Sequence, residues 1–196
     1  MKISKKHTDI FVYDNFLSNE ECDALAALID TKLSRSQVTN PNSKEKTVSN
    51  FRTSLTHFFE KSDFIKALDQ KICDATGIDK SKGEEIQGQK YNRNSYFKEH
   101  TDFFEPNSKE YESECSISGN RTITFMVYLN DEFKGGNTYF NKLEFSVVPK
   151  KGRAVVWNSL HKDGSVNYNT SHEGSRIASG KKYIITKWFR MKDYKK

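Results

Sequence analysis

The chain has 196 residues, a length that fits one domain and leaves no room for a second independent core. Hydrophobic residues make up 35% and aromatics 13%, so a core can form beneath a very polar surface. The net charge of +6 would help acidic partners approach, nucleic acid included, but the lysines are scattered and read as a solvated surface rather than a dedicated patch.

Cys22, Cys73 and Cys115 are odd in number, widely spaced and without a CxxC, which argues against a disulfide framework and against a zinc knuckle. They read as two helical core thiols and one loop thiol in a reducing compartment. The opening MKISKKHTDIFVYDNF has no apolar stretch of signal-peptide length, and no segment approaches the ~18 apolar residues of a membrane helix. The expectation is a cytoplasmic protein with no membrane partner.

Along the chain, Ile10 to Tyr13 is a short apolar run and Leu17 closes a turn. Ser18 with Glu21 is a capping-box pattern, and Leu25, Leu28 and Ile29 follow at helical spacing, which predicts a helix over about 19–33. Residues 34–50 are polar and aperiodic and predict a mobile loop, followed by a short strand over Phe51–Leu55. Asp63 opens a second helix, with Phe64, Ile65, Leu68 and Ile72 on one face and Gly77 as its stop.

From Glu85 onward the pattern is one of short strands. Two are predicted over 85–92 and 95–100, and a long polar loop over 105–120 follows. The run RTITFMVYL then alternates, with Ile123, Phe125, Val127 and Leu129 on one face. A turn at Gly135-Gly136 precedes strands near 137–140, 143–148, 153–157 and 182–190. The fold class this implies is α+β: a double-stranded β-helix, or jelly roll, with N-terminal helices packed on one sheet. Residues 1–84 form the helical support and 85–190 the jelly-roll core.

Five histidines are available for chemistry: His7, His57, His100, His161 and His172. His100-Thr101-Asp102 is an HxD, and residues two apart on a strand point to one face. One imidazole and one carboxylate presented together need only a third ligand from a distant strand. Two histidines and one carboxylate on one face of an octahedron leave open positions, an arrangement suited to iron(II).

Downstream, KYIITKWF alternates so that Lys182, Ile184, Thr186 and Trp188 share a face that would line the lumen. A lysine aimed into a closed interior needs an anion. Lys182 follows His172 by ten residues, whereas His161 has no such cation behind it; this selects His172 as the third ligand. His161 then supports a loop, His7 lies in a tail, and His57 sits near a helix start.

The ordered set EIQGQKY, HTD, RTITFMVYLND, GGNTYF, VPKKGRAVVWNSL, SHEG and GKKYIITKWF resembles the catalytic domain of prolyl 4-hydroxylases, a branch of the Fe(II)/2-oxoglutarate-dependent dioxygenases. The N-terminal DNFLSNEECDAL and FRTSLTHFF are similar as well, so the resemblance covers nearly the whole chain.

It implies that His100, Asp102 and His172 hold the metal, and that Lys182, Tyr91 and Thr138 bind 2-oxoglutarate. It further implies that Arg121, Trp188 and Phe97 line the substrate groove. Phe97 stands where the family carries a tyrosine, and Asn94-Ser95 replaces a common Gly-Gln.

The implied cofactors are Fe(II), with 2-oxoglutarate and O2 as cosubstrates and ascorbate as reductant. The implied partner is a proline-containing peptide or protein, and the implied reaction is hydroxylation of an unactivated C–H bond with release of succinate and CO2. The alternatives are a same-fold oxygenase acting on nucleic acid or a free amino acid, and a silent cupin-like binding module. The loops 34–50 and 105–120 are lid candidates.

Overall fold

Alternation along the strands sets up two apolar layers, one on each face of a large antiparallel sheet. The computed structural model describes residues 1–6, 8–40 and 42–195; the expectation for His7 lies outside them. A hairpin of β1 (Lys2–Lys5) and β2 (Thr8–Tyr13) leads into α1 (Asn19–Thr31). Then come β3 (Ser34–Arg35), β4 (Gln37–Asn40), β5 (Ser43–Val48), β6 (Leu55–Phe58) and α2 (Asp63–Thr76). β7 (Gln87–Tyr91), β8 (Phe97–His100), α3 (Lys109–Cys115) and β9 (Arg121–Tyr128) follow.

The chain continues through β10 (Lys134–Gly135), β11 (Thr138–Phe140), β12 (Phe145–Val147) and β13 (Ala154–Asn158). It finishes with β14 (His172–Gly174), β15 (Ile177–Ser179) and β16 (Lys182–Arg190). The major sheet runs β1-β2-β13-β9-β16-β7-β6-β3 and the minor sheet β12-β11-β14-β8.

On β9 and one residue past its end, Phe125, Val127 and Leu129 face the helices, where they meet Leu25 and Ile29 of α1 and Leu68 and Ile72 of α2. Met126 and Tyr128, one residue out of phase, face the minor sheet and meet Phe140, Trp157 and Ile184. Leu25 and Ile29 are fully buried, and truncating either to alanine costs about 2–5 kcal/mol. Leu28, expected on the same face, is instead 37% exposed.

The helix ends follow their sequence signals. Ser18 Oγ accepts from Glu21 N–H while the Glu21 carboxylate accepts from Ser18 N–H, closing the capping box. Gly77 ends α2 in the left-handed region and donates to Cys73 O at 2.8 Å.

Several expectations are corrected. The described residues of 34–50 are not a loop: β4 and β5 pair antiparallel and α3 packs on β5, with Lys46 Nζ 3.0 Å from Glu114. The segment 105–120 contains α3, so Cys115 is a buried helical thiol rather than a loop thiol. The strand expected over 51–55 falls at 55–58, and His57 lies within it, its buried Nδ1–H donating to Lys32 O at 2.8 Å. Residues 1–84 are more than a helical support, because they supply β1 and β2 at one edge of the major sheet and β6 and β3 at the other. Sheet edges are completed by pairing with whatever strand is nearest in space, a choice no local periodicity records. No described helix is long and apolar enough to cross a membrane.

Candidate metal centre

β8 and β14 are antiparallel neighbours in the minor sheet, and their register sets His172 opposite His100. Asp102 lies two residues past His100, and the three side chains bring one ligand atom each to within 4.8 Å of one another. Each imidazole is fixed from behind. His100 Nδ1–H donates to Lys98 O at 2.8 Å and His172 Nδ1–H donates to Thr170 O at 2.9 Å. That sets both tautomers and leaves the Nε2 lone pairs free, each 3.9 Å from an Asp102 oxygen. Asp102 is oriented by Thr124 of β9, whose hydroxyl donates to Oδ2 at 2.6 Å.

The electrostatics suit a cation. Burial opposes the Asp102 charge, yet the two imidazoles and the Thr124 hydroxyl hold its pKa below the usual carboxylate range. Burial, with the neighbouring His172, lowers His100 to about 3, so its imidazole is neutral and able to act as a ligand at neutral pH. Aromatic rings close the sides. Phe97 stacks on His100 at 3.5 Å, and Trp157 meets His172 edge-on at 4.8 Å.

Further into the same pocket, β16 and β7 pair Lys182 with Tyr91. Lys182 is 2% exposed and Lys181 points out to solvent, as the alternation predicts. The Lys182 ammonium sits 4.5 Å from the Tyr91 ring centre and 6.0 Å from that of Tyr128. It donates to Gly136 O at 2.9 Å, and no carboxylate pairs with it among the described residues. Burial alone brings its pKa down to about 7. Gly136 has φ 71°, and a Cβ there would meet Ile177 and Phe133 at 2.6 and 2.8 Å, so the turn that aims this carbonyl needs glycine. Thr138 lines the pocket with its Oγ1 2.6 Å from the Tyr128 hydroxyl.

At the mouth the pocket opens into a groove of about 1050 Å³, bordered by Val38, Phe51, Phe58, Phe103 and Trp188. Arg121 lies on its wall, 4.0 Å from the Trp188 ring centre. Its guanidinium is held by Glu84 through two bonds of 2.7 and 2.9 Å, and Arg190 meets the same carboxylate at 2.6 Å. Arg52, buried and bonded to Ser54, borders both the pocket and the groove. His161 is remote from the cluster, in a turn closed by its N–H on Ser165 O.

His100, Asp102, His172, Lys182, Tyr91, Thr138, Trp188 and Phe97 thus all line one pocket, with Arg121 just outside it. Sequence reasoning passed over Thr124, Tyr128, Arg52 and Glu84. Thr124 and Tyr128 were within reach, because the alternation of RTITFMVYL sends them to the face opposite Phe125. Arg52 and Glu84 carry no periodic signal.

The family model of the 2OG-Fe(II) oxygenase superfamily matches residues 86–190, and the chain belongs to that superfamily. Fe(II) and 2-oxoglutarate are the metal and cosubstrate this membership implies, and the two-histidine, one-carboxylate set fits such an ion.

Among relatives, prolyl 4-hydroxylase 1 of Arabidopsis thaliana is 33% identical over 200 residues, covering 93% of this chain and 69% of that protein. Prolyl 4-hydroxylase subunit alpha-1 of Gallus gallus is 31% identical over 176 residues, covering 89% of this chain. This chain spans about a third, 34%, of that subunit's length. Among solved structures, a viral collagen prolyl hydroxylase from Paramecium Bursaria Chlorella virus-1 superposes with a TM-score of 0.70 at 23% identity, covering 92% of this chain and 94% of that one. A Trichoplax adhaerens prolyl hydroxylase, solved with a hypoxia inducible factor peptide fragment, gives 0.67 at 15% identity, covering 92% and 83%. These likenesses establish the double-stranded β-helix fold.

Proposed function

We propose that the chain is an Fe(II)- and 2-oxoglutarate-dependent dioxygenase that hydroxylates an unactivated C–H bond, with peptidyl proline as the target. One observation carries the reading. A buried lysine with no carboxylate partner among the described residues shares a pocket with a histidine–aspartate–histidine cluster whose Nε2 atoms are free. A dicarboxylate that reaches from a metal to a buried cation answers both.

His100, Asp102 and His172 would hold the ion, and Thr124 would keep Asp102 turned toward it. Lys182 would pair with the far carboxylate of 2-oxoglutarate, with Tyr91, Tyr128 and Thr138 offering hydroxyls around it. Bound iron with 2-oxoglutarate and O2 supplies the oxidising power for oxygen insertion, with succinate and CO2 released. Phe97, Trp157 and Phe140 exclude water around the imidazoles. Trp188 and Arg121 shape the groove where a peptide would lie, and the β4–β5 hairpin with α3 forms its outer wall.

The test is mass spectrometry of a proline-rich peptide panel incubated with Fe(II), 2-oxoglutarate and ascorbate as reductant. A gain of one oxygen on proline, in step with succinate release, is expected. Succinate without any modified peptide would remove peptidyl proline as the substrate. No binding of 2-oxoglutarate would remove the dioxygenase itself.

A further inference from the structure

Arg52 has no part in the chemistry above, and its surroundings single it out. It is 8% exposed and bridges to Phe97 of β8. Its Nε–H donates to Ser54 Oγ at 2.9 Å. Ser54 is joined to Ser36 at 2.7 Å, and Ser36 to Thr56 at 2.7 Å, so a buried chain of hydroxyls fixes the guanidinium from behind. Its carbon lies 4.9 Å from the centre of the Phe97 ring, the ring that also stacks on His100. The guanidinium is therefore one aromatic ring away from the metal cluster, at the junction of pocket and groove.

Its two terminal nitrogens make no hydrogen bond among the described residues, and no carboxylate there lies within ion-pair distance. Of the other cations here, Arg35 stands exposed at the rim of the groove, and those that are buried or reach an acid are answered among the described residues. Arg121 and Arg190 meet Glu84, Lys46 meets Glu114, and Lys187 meets Asp69 at 2.6 Å. Neither nitrogen is a buried orphan, so both open on the pocket and groove, and a planar fork held at Nε offers two parallel donors matched to a carboxylate. Lys182 cannot be that fork's rival for the same group, since it lies at the Tyr91 end of the pocket and suits the cosubstrate.

We propose that Arg52 is a carboxylate subsite for the substrate: the segment carrying the hydroxylated carbon also bears a carboxylate that docks on its terminal nitrogens. The proposal rests on the dioxygenase reading and narrows its substrate class. The carboxylate can come from an Asp or Glu flanking the target residue, or from the α-carboxylate of a C-terminal or free amino acid.

The test uses the full chain with a proline peptide series in which Asp or Asn occupies each of the two positions on either side of proline. C-terminal proline as acid or amide, and free L-proline, complete the set. Both turnover and calorimetric binding with Mn(II) and 2-oxoglutarate are read. The expected result is one carboxylate position at which KM and Kd fall about tenfold against the neutral counterpart. Arg52→Gln brings that ratio to one; any general effect of the substitution on the neutral peptide cancels in the ratio. The position of the preference tells a flanking acid from a terminal one.

No acid preference at any position, or one that survives Arg52→Gln, overturns the subsite. Should Arg52→Gln fold poorly, Arg52→Lys decides: it keeps the charge but loses the planar fork, and an acid preference unchanged from wild type also overturns the subsite. Neutral peptides hydroxylated without acid preference sink the subsite alone. Binding with an acid preference but no hydroxylation of any member supports the subsite and sinks peptidyl proline as target.

Discussion

Lys182 and Lys187 stand on the same strand, both 2% exposed, on opposite faces of the major sheet. Lys187 points toward the helices, where Asp69 of α2 meets it at 2.6 Å and Glu84 O accepts a second bond at 2.8 Å. Lys182 points into the lumen and finds one backbone carbonyl. A cation buried for the sake of the fold carries its counter-charge with it; a cation buried for the sake of a ligand leaves the counter-charge to the ligand. The two faces of β16 differ in the same way throughout: Ile185 and Phe189 pack against helices, while Thr186 and Trp188 border open space.

Variants can break this contrast. The largest effect belongs to the lumen: His172→Ala is expected to abolish 2-oxoglutarate turnover and tight metal binding, and full activity in that variant would remove His172 from the ligand set. On the helix face, Lys187→Met should lower the free energy of urea unfolding toward the low end of about 3–5 kcal/mol, because Lys80 still reaches Asp69 at 3.2 Å. Lys182→Met should do the reverse. Its unfolding free energy without ligand should hold or rise, while the KM for 2-oxoglutarate climbs by roughly 10–100-fold, the loss of about 1.5–3 kcal/mol from a charged hydrogen bond. Equal stability losses in the two lysine variants would erase the distinction.

The pH dependence sharpens the same point. Lys182 titrates at about 7 when folded, against an ordinary value of 10.5. Between those values the unfolded chain binds a proton that the folded chain does not. The Lys182 contribution to apo stability therefore rises with pH across that window, and is absent from the wild-type minus Lys182→Met difference if the side chain is not buried. Ligand binding has the opposite sign: 2-oxoglutarate wants the ammonium, so its affinity should weaken above about pH 7, with proton uptake on binding detectable by calorimetry in buffers of different ionisation heat. The smallest effect is Thr124→Val, which removes the Asp102 contact and should cost about 10-fold in metal affinity with little change in unfolding.

How much of this was legible in the sequence depends on whether the signal was periodic. Lys182 with Trp188 is read from period two and both line the pocket; His100 and Asp102 also come together, but Asp102 lies in a bend past the end of β8 rather than on the strand. α1 and α2 announce themselves through Ser18, Asp63 and Gly77. The hairpin of β4 and β5 is invisible because a polar strand exposed on both faces, such as that of Lys46, Thr47 and Val48, has no alternation to read. α3 is two turns long and is held by its contacts with β5 rather than by propensity. Arg52 meets Phe97, and Arg121 meets Glu84, only after distant strands pair, so their partners are properties of topology.

The origin of the site's parts has a further consequence. The two imidazoles come from paired strands of the minor sheet, while the hydroxyl that steadies the carboxylate comes from the centre of the major one. An ion seated among them would act as a rivet through both layers. Occupancy would then count toward folding as RT ln(1 + [L]/Kd), so that thermal midpoints climb with free metal and the four-stranded layer is the part that loosens when a chelator takes the ion away.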